Sequence, residues 1–280
     1  MKPRIVAGIA ASLLLLVLAV PAGAGSKNKA SKGSGGATRF LASGVPLTEV
    51  RDGRLQAVGS AKLPCGARSR WAKVSSKWSA LDAWGRVTGT LTISGSARYD
   101  ATGCRRVSFS EGTGQDGLGV FVAEGSGYVA GTSAEWKAGE ASRKRFERLY
   151  SAQESAWVEG KLAPVAGRRT MYFSLPAQEA SVEGAPTVRR PERWAVSGGR
   201  VLVVGYEGAG GAWKVGHVLP PNGKANAYEP LAVMDMNGDG LPEIVVHEEA
   251  GGVFSDRVLS FDAGTMRWES AVVSPGGATR

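Results

Sequence analysis

The sequence predicts a mainly β protein, with antiparallel sheets in two packed β regions and one short surface helix. The clearest evidence is the stretch 87–99, where Val87, Leu91, Ile93 and Tyr99 alternate with threonine, serine and arginine. An alternation with a period of two residues is typical of an antiparallel strand buried on one face. Short β-branched runs recur along the chain, separated by turns that draw on its 40 glycines. Only one stretch has a helical pattern.

Further strands are expected wherever a short apolar run is bounded by glycine or polar turn residues. Their expected positions are around 107–109 and at 119–123, 127–130, 170–175, 200–206, 213–219, 230–234, 244–246, 256–261 and 266–272. The last two are joined by Asp262-Ala-Gly264, which is a good hairpin turn. Both β regions are therefore expected to be antiparallel.

The helix is expected at about 140–153, because Phe146, Leu149 and Tyr150 share one face opposite charged residues. It separates the two β regions. The expected divisions are a signal peptide at 1–24, a flexible basic linker at 25–38, an N-terminal β region at 39–139, the helix and its connector at 140–156, a C-terminal β region at 157–272 and a tail at 273–280. The length after the linker, about 240 residues, suits one large β domain or two small ones.

The first 24 residues have the pattern of a secretory signal peptide. Lys2 and Arg4 precede an apolar stretch from Ile5 to Val20, which ends at Pro21-Ala-Gly-Ala24. An uncleaved membrane anchor is the alternative, although the apolar stretch is shorter than the roughly 20 residues that span a bilayer. No later stretch is long and apolar enough to cross a membrane. The sequence therefore predicts a secreted, periplasmic or cell-surface protein with no transmembrane segment after signal cleavage.

Export also bears on Cys65 and Cys104, which are the only two cysteines. In an oxidising compartment an isolated pair is best interpreted as a disulfide. The alternative is two buried free thiols. A zinc site is excluded, because two cysteines without nearby histidines cannot fill four coordination positions.

The strongest chemical signal is the run Asp-Met-Asn-Gly-Asp-Gly-Leu-Pro-Glu, which begins at Asp235 and ends at Glu243. Calcium takes six to eight oxygen ligands, so a compact loop must direct several oxygens inward. Gly238 and Gly240 allow the backbone to turn sharply because glycine reaches left-handed conformations without steric cost. The candidate ligands are the side chains of Asp235, Asn237, Asp239 and Glu243 and the carbonyl of Leu241.

An EF-hand does not fit this loop. Its twelfth position, counted from Asp235, is Val246, which cannot supply the closing bidentate carboxylate. The flanking runs are β-branched, and Pro242 would break an exit helix. The loop is expected to join two strands.

The stretch from Leu231 to Val246 resembles the FG-GAP (VCBS-type) repeat, the calcium-loop repeat of integrin alpha-subunit propellers and of many secreted bacterial proteins. The resemblance implies side-chain ligation by Asp235, Asn237, Asp239 and Glu243 and main-chain ligation by Leu241. Glu243 stands where an aspartate is more usual. The sequence contains one copy, whereas a propeller needs typically 4–8 blades. A degenerate β-propeller is therefore kept as the alternative fold.

Charge supports the calcium prediction. The chain has a formal net charge of +9, yet residues 225–256 hold seven carboxylates and no lysine or arginine. Crowded like charges are destabilising unless a cation compensates them. The alternative is a metal-free polar turn, since Asn-Gly between apolar runs is also hairpin chemistry. Magnesium suits the loop less well because it demands near-ideal octahedral geometry.

Other sites find less support. The glycine-rich stretches 112–117 and 205–211 precede strands rather than the helix that a dinucleotide site requires, so both are expected to be hairpin loops. Basic residues are scattered in short pairs, which argues against a nucleic-acid surface. His217 is expected in the core, and neither it nor His247 belongs to a catalytic motif. The eight tryptophans suit core packing better than a sugar-stacking surface.

Together these patterns predict an exported calcium-binding β protein in which the ion is structural. It would act as a cell-surface or extracellular interaction module with a protein or glycan partner of the envelope. The sequence gives no positive evidence of catalysis. A secreted carbohydrate-binding protein or polysaccharide hydrolase is the alternative, and exposed tryptophans or a cleft with two carboxylates would favour it.

Overall fold

A computed structural model confirms the mainly β, antiparallel fold, and its described residues contain one α-helix. The structure describes residues 37–58, 73–98, 105–110, 119–131, 134–158, 168–176, 179–180, 188–189, 191–221, 227–250, 253–274 and 277–278. The predicted signal peptide, most of the predicted linker and both cysteines of the predicted disulfide lie outside the described residues.

The N-terminal β region is one antiparallel sheet of seven strands. These are β1 (Thr38–Ala42), β2 (Val45–Arg51), β3 (Arg54–Ala57), β4 (Lys77–Leu81), β5 (Val87–Arg98), β6 (Arg105–Phe109) and β7 (Val120–Ala123). They lie side by side in the order β3-β2-β1-β7-β4-β5-β6. β1 begins at Thr38, so the last residue of the predicted linker belongs to the first sheet.

Two details of the first sheet differ from the sequence prediction. On β5, Leu91 and Ile93 are buried as expected, but Val87 is 55% exposed because the pairing with β4 shifts register next to the turn. The predicted strand at 127–130 is absent. Gly127 has a φ of 76°, and Tyr128 instead packs edge-on against the ring of Phe40. The segment is therefore an extended loop held by its tyrosine.

The helix and the second β region follow. They comprise α1 (Glu140–Trp157), β8 (Thr170–Ser174), β9 (Glu179–Ala180), β10 (Val188–Arg189), β11 (Arg193–Ser197), β12 (Leu202–Glu207), β13 (Trp213–Leu219), β14 (Ala227–Met234), β15 (Glu243–Ala250), β16 (Val253–Asp262), β17 (Arg267–Val273) and β18 (Gly277–Ala278). One sheet has the order β13-β12-β11-β8, a second has the order β14-β15-β16-β17, and β9 pairs with β10. Within the described ranges these sheets do not close into a propeller.

The predicted tail at 273–280 is wrong in part. Val273 belongs to β17, and β18 pairs with the start of β16 through Val253 and Phe254. The backbone groups at this end of β16 would otherwise form an open sheet edge, and the chain end covers them.

Helix α1 packs on β12 and β13. Its buried side chains are Ser142, Phe146 and Tyr150, in agreement with the predicted face, and it continues four residues beyond the predicted end. Gly205 lies in β12 beneath it, so the predicted loop at 205–211 is shorter than expected. A Cβ on Gly205 would lie 3.0 Å from Phe146 and from Leu149, which explains the glycine by close helix packing.

The two β regions share a core. Phe40, Leu47 and Val122 of the first region pack in one buried cluster with Met234 and Val245 of the second. Residues 36–280 accordingly form one compact unit.

A second cluster lies between the two C-terminal sheets. Trp194 and Trp268 are buried there with ring centroids 5.8 Å apart, and Trp78 is buried in the first sheet. Trp157, at the end of α1, is 54% exposed. The described tryptophans therefore form no exposed row, as core packing requires.

Candidate metal centre

The predicted ligands lie where the sequence places them, between two neighbouring antiparallel strands. β14 ends at Met234, the loop runs from Asp235 to Pro242, and Glu243 is the first residue of β15. The glycines of the loop, Gly238 and Gly240, have φ values of 79° and 84°. These left-handed conformations are the ones that the glycine spacing predicts.

Side-chain oxygens of the loop accept hydrogen bonds from its own backbone. Asp235 accepts through Oδ1 from the Gly238 N–H at 2.7 Å and through Oδ2 from the Gly240 N–H at 2.9 Å. Asp239 Oδ1 accepts from the Leu241 N–H at 2.7 Å. A carboxylate oxygen carries two lone pairs, so each of these oxygens keeps one that can face a cation. These bonds hold the two carboxylates against the loop backbone, with Asp235 partly buried and Asp239 exposed.

The side-chain amide of Asn237 is hydrogen-bonded to Asp239. Its Oδ1 accepts from the Asp239 N–H at 2.9 Å, and its Nδ2 donates to Asp239 Oδ2 at 3.0 Å. The amide of Asn237 and the carboxylate of Asp239 are therefore in direct contact. The backbone of Leu241, the predicted main-chain ligand, is held near Asp239 by the hydrogen bond from its N–H.

Glu243 has the most unusual environment. It is 2% exposed, and its Oε2 accepts from the Met236 N–H at 2.8 Å. Burial, together with the negative charges of Asp239 and Asp235, raises the pKa of Glu243 to about 8. No cationic side chain of the described residues pairs with it. Glu243 is therefore a buried carboxyl group that has no cationic partner among the described residues.

The remaining acidic residues of this segment do not join the loop. Glu248 pairs with Arg257 at 3.1 Å, and Asp256 accepts from His247 Nδ1 at 2.8 Å. The prediction from seven crowded carboxylates is therefore too broad. β15 and β16 carry several of them to other partners, and three of the seven, Asp235, Asp239 and Glu243, belong to the loop and its closing strand.

Segments of the N-terminal region contact the loop. The Val233 N–H donates to the Ala83 carbonyl at 2.8 Å. A Cβ on Gly131 would lie 3.4 Å from the Cβ of Asp235. Burial, followed by the charge of Asp235, raises the pKa of Tyr128 to about 12. The loop lies at the junction of the two β regions, which sequence reasoning does not predict.

The donor set of the loop fits calcium by chemistry, since it consists of carboxylate, amide and carbonyl oxygens. Within the described part of the chain, no group of three or more His, Cys, Asp or Glu side chains lies close enough to hold a metal by itself. The fit therefore depends on Asn237 and a main-chain oxygen as well as on the carboxylates. The strongest support for the calcium fit is that the buried carboxyl group of Glu243 has no cationic partner among the described residues.

Sequence reasoning missed a buried cluster of Ser43, His247 and Asp256. Asp256 is inaccessible to solvent, and its Oδ1 also accepts from Ser43 Oγ at 3.1 Å. Ser43 Oγ lies 3.3 Å from the same histidine nitrogen, Nδ1, that contacts Asp256. A catalytic triad uses the two imidazole nitrogens separately, so this cluster links the β1–β2 turn to β15 and β16. More than 200 residues separate Ser43 from its partners, and no local signal marks it.

Comparison with known proteins identifies no relatives. No family model matches the chain, and neither the curated proteins nor the solved structures include a match. The resemblance to the FG-GAP repeat therefore stays a prediction from the loop itself. Among the described residues, no helix is long and apolar enough to cross a membrane.

Proposed function

We propose that this chain is a calcium-binding β protein of the cell exterior, in which one structural calcium ion stabilises the β14–β15 loop. The observation that carries the proposal is Glu243, a buried carboxyl group whose pKa is raised by burial and by the charges of Asp239 and Asp235, without a cationic partner among the described residues. Ionising a buried carboxyl group is costly, and a divalent cation that replaces its proton offsets that cost.

The ligands of the ion would be the oxygen-bearing residues of the loop. The side chains of Asp235, Asn237, Asp239 and Glu243 and the main chain of Leu241 would hold it. When bound, calcium supplies positive charge and requires no chemical step. A ligand that binds only the folded state stabilises it by about 2.7 kcal/mol at 100 times its dissociation constant.

The position of the loop suggests what this stabilisation is for. The turn at Ala83 and the segment around Gly131 contact β14 and Asp235, so an ordered loop supports the junction between the β regions. A stiff junction would hold the surface loops of both regions in a defined arrangement for a partner. We infer that the partner is a protein or glycan of the envelope or extracellular space.

Compartment and charge support the same proposal. The signal-peptide pattern predicts export to a compartment where calcium is commonly near the millimolar dissociation constants of extracellular modules. The net charge of +9 favours contact with anionic envelope surfaces. The scattered basic pairs do not suggest nucleic acid.

A pair of matched substitutions tests the calcium site. Asp239→Asn removes a carboxylate from the loop while keeping a side chain that can accept from the Leu241 N–H. Asp262→Asn makes the same change in the β16–β17 turn, where Asp262 Oδ1 accepts from the Gly264 N–H at 2.8 Å. We expect about 10 mM calcium, measured against chelator, to raise the melting temperature of the natural chain and of Asp262→Asn by several degrees. Asp239→Asn should gain little.

Equal calcium shifts in the two variants would contradict the assigned ligands. Equilibrium dialysis of the same samples adds a direct readout, with one bound ion expected for the natural chain and for Asp262→Asn. A natural chain that binds no calcium at millimolar concentration would overturn the proposal.

A further inference from the structure

An open cleft of about 740 Å³ lies at the end of β12, and it shares no residue with the metal loop. Its size is within the range of small-molecule sites, about 300–1,000 Å³. Its lining residues are Arg145, Pro191, Glu192, Arg193, Tyr206, Glu207, Gly208, Ala209, Gly210 and Gly211. Helix α1, β11 and β12 all contribute, so the cleft forms only in the folded chain.

The polar lining is held in place by Glu207. The side chain of Glu207 is 7% exposed and accepts from Ser142 Oγ at 2.9 Å, Arg193 Nη1 at 3.1 Å and Arg145 Nη2 at 3.3 Å. Arg193 also lies over the ring of Trp136, 5.1 Å from its centroid. A guanidinium has five N–H donors, so both arginines keep donors for a ligand after contacting Glu207. Their orientation is set before any ligand arrives.

The glycine-rich loop on the other side of the cleft is shaped around these charges. Gly211 has a φ of 78°, and a Cβ there would lie 2.9 Å from Arg145 Nη2. Both observations explain a glycine at this position, because a side chain would be strained and would displace Arg145. The loop and the arginine therefore form one preorganised wall.

The charges of the lining select the kind of ligand. Two arginines and two glutamates give a formal sum of zero, so a free anion meets two carboxylates and a free cation meets two guanidiniums. A neutral ligand with many hydroxyl groups satisfies both, because each hydroxyl donates one hydrogen bond and accepts others. The cleft thus has the electrostatic character of a site for polyhydroxyl compounds.

Apolar lining complements the polar groups. Tyr206 and Pro191 line the cleft, and the Tyr206 ring is packed against Trp194 with centroids 5.2 Å apart. Aromatic rings supply flat apolar area with a polar edge. Such a surface suits the C–H face of a sugar ring, whose rim carries the hydroxyls.

We propose that this cleft binds a neutral saccharide. Arg145 and Arg193 donate to its hydroxyls, the glutamates accept from them, and Tyr206 contacts its apolar face. The proposal is for binding, since Glu207 lacks the property of a general acid. Glycoside hydrolysis needs a carboxyl group with a raised pKa as general acid, whereas hydrogen bonds from Ser142 and the two arginines hold the pKa of Glu207 below its usual value despite its burial.

Titration calorimetry on the full chain without its predicted signal peptide tests the proposal. The probes are neutral hexasaccharides of glucose, xylose, mannose and N-acetylglucosamine, with a hexagalacturonate as the acidic comparison. Arg145→Ala and Arg193→Ala remove the donors. Arg148→Ala is the matched control, because it removes an exposed arginine of the same helix that does not line the cleft.

We expect at least one neutral hexasaccharide to bind with a dissociation constant of about 1 mM or lower. Each cleft variant should weaken this binding about tenfold, because a charge-assisted hydrogen bond is lost. Arg148→Ala should change the affinity less than about twofold. Melting curves check that each variant folds, and binding should persist in chelator because the cleft is separate from the metal loop.

Three results would overturn the inference: no neutral hexasaccharide binds, the acidic hexasaccharide binds more tightly than every neutral one, or Arg148→Ala weakens binding as much as the cleft variants. None of them bears on the calcium site, which the dialysis experiment tests separately.

Discussion

Glu207 and Glu243 are both glutamates with nearly inaccessible side chains, yet their surroundings are opposite. Glu207 receives hydrogen bonds from Arg145, Arg193 and Ser142, and its pKa is lowered. Glu243 receives one from the Met236 backbone and faces Asp239 and Asp235, and its pKa is raised to about 8. The protein compensates the first charge with its own side chains.

The carboxylate of Glu243 has no such partner among the described residues, so a proton or a cation from solution must neutralise it. A proton can neutralise Glu243 at any pH below its pKa of about 8, and a divalent cation can take the place of that proton. This difference separates two kinds of buried carboxylate. One is paired within the structure and organises a cleft. The other has no cationic partner among the described residues, and we propose that it binds an ion.

The largest expected effect is that of Glu243→Gln, which should destabilise the protein in calcium but not in chelator. In about 10 mM calcium, Glu243→Gln should lower the melting temperature by about 5–10 °C, because a stabilisation of about 2.7 kcal/mol is lost. In chelator at about pH 8, the same variant should be as stable as the natural chain or more stable, since it removes an uncompensated buried charge. Calorimetric melts under the two conditions make the comparison. A variant that is destabilised equally in both would show that Glu243 serves the fold alone.

Glu207→Gln should behave differently. We expect a loss of about 1–2 kcal/mol in the free energy of unfolding, discounted because both arginines are largely exposed and can be hydrated. The loss should be the same with calcium and with chelator. Urea denaturation followed by tryptophan fluorescence measures it. A calcium-dependent loss of stability would mean that the cleft and the metal loop are coupled, and Glu207 would then not be independent of Glu243.

The two glutamates should also give opposite pH dependences. The pKa of Glu243 is raised from 4.5 to about 8, so in chelator its contribution should be greatest below 4.5 and lost as the pH rises towards 8. The pKa of Glu207 is lowered from 4.5, so its contribution should be present above 4.5 and lost as the pH falls below that value. Melts of the natural chain and of each Gln variant across this range separate the two. A chelated natural chain that grows more stable from pH 4.5 to 8 only when Glu243 is present would contradict the assignment.

The sequence predicts the second half of the fold well because the signals there are local. The turn at Asp262 to Gly264, the strands around it and the face of α1 all follow from residue spacing within one element. The conformations of Gly238 and Gly240 are likewise predictable, since a left-handed residue in a tight loop favours glycine. Prediction was wrong at 127–130, where the packing of Tyr128 against Phe40, a residue distant in sequence, decides the conformation.

The prediction from the seven carboxylates at 225–256 also failed to foresee tertiary contacts. Seven carboxylates that are close in sequence were expected to surround one ion, but antiparallel strands direct successive side chains to opposite faces. Pairing then brings Arg257 to Glu248 and Ser43 to Asp256. Proximity along the chain therefore overstates the acidity of the site.

By itself, the sequence determined the β class, the helix face and the oxygen-rich loop with its five candidate ligands, because each of these depends on residues a few positions apart. The tertiary structure alone decided that this loop lies at the junction of two β regions and that Glu243 is buried there without a cationic neighbour among the described residues. It also decided that arginines from α1 and β11 meet at Glu207. Burial and charge pairing depend on which distant segments come together, and packing of the whole chain sets those contacts.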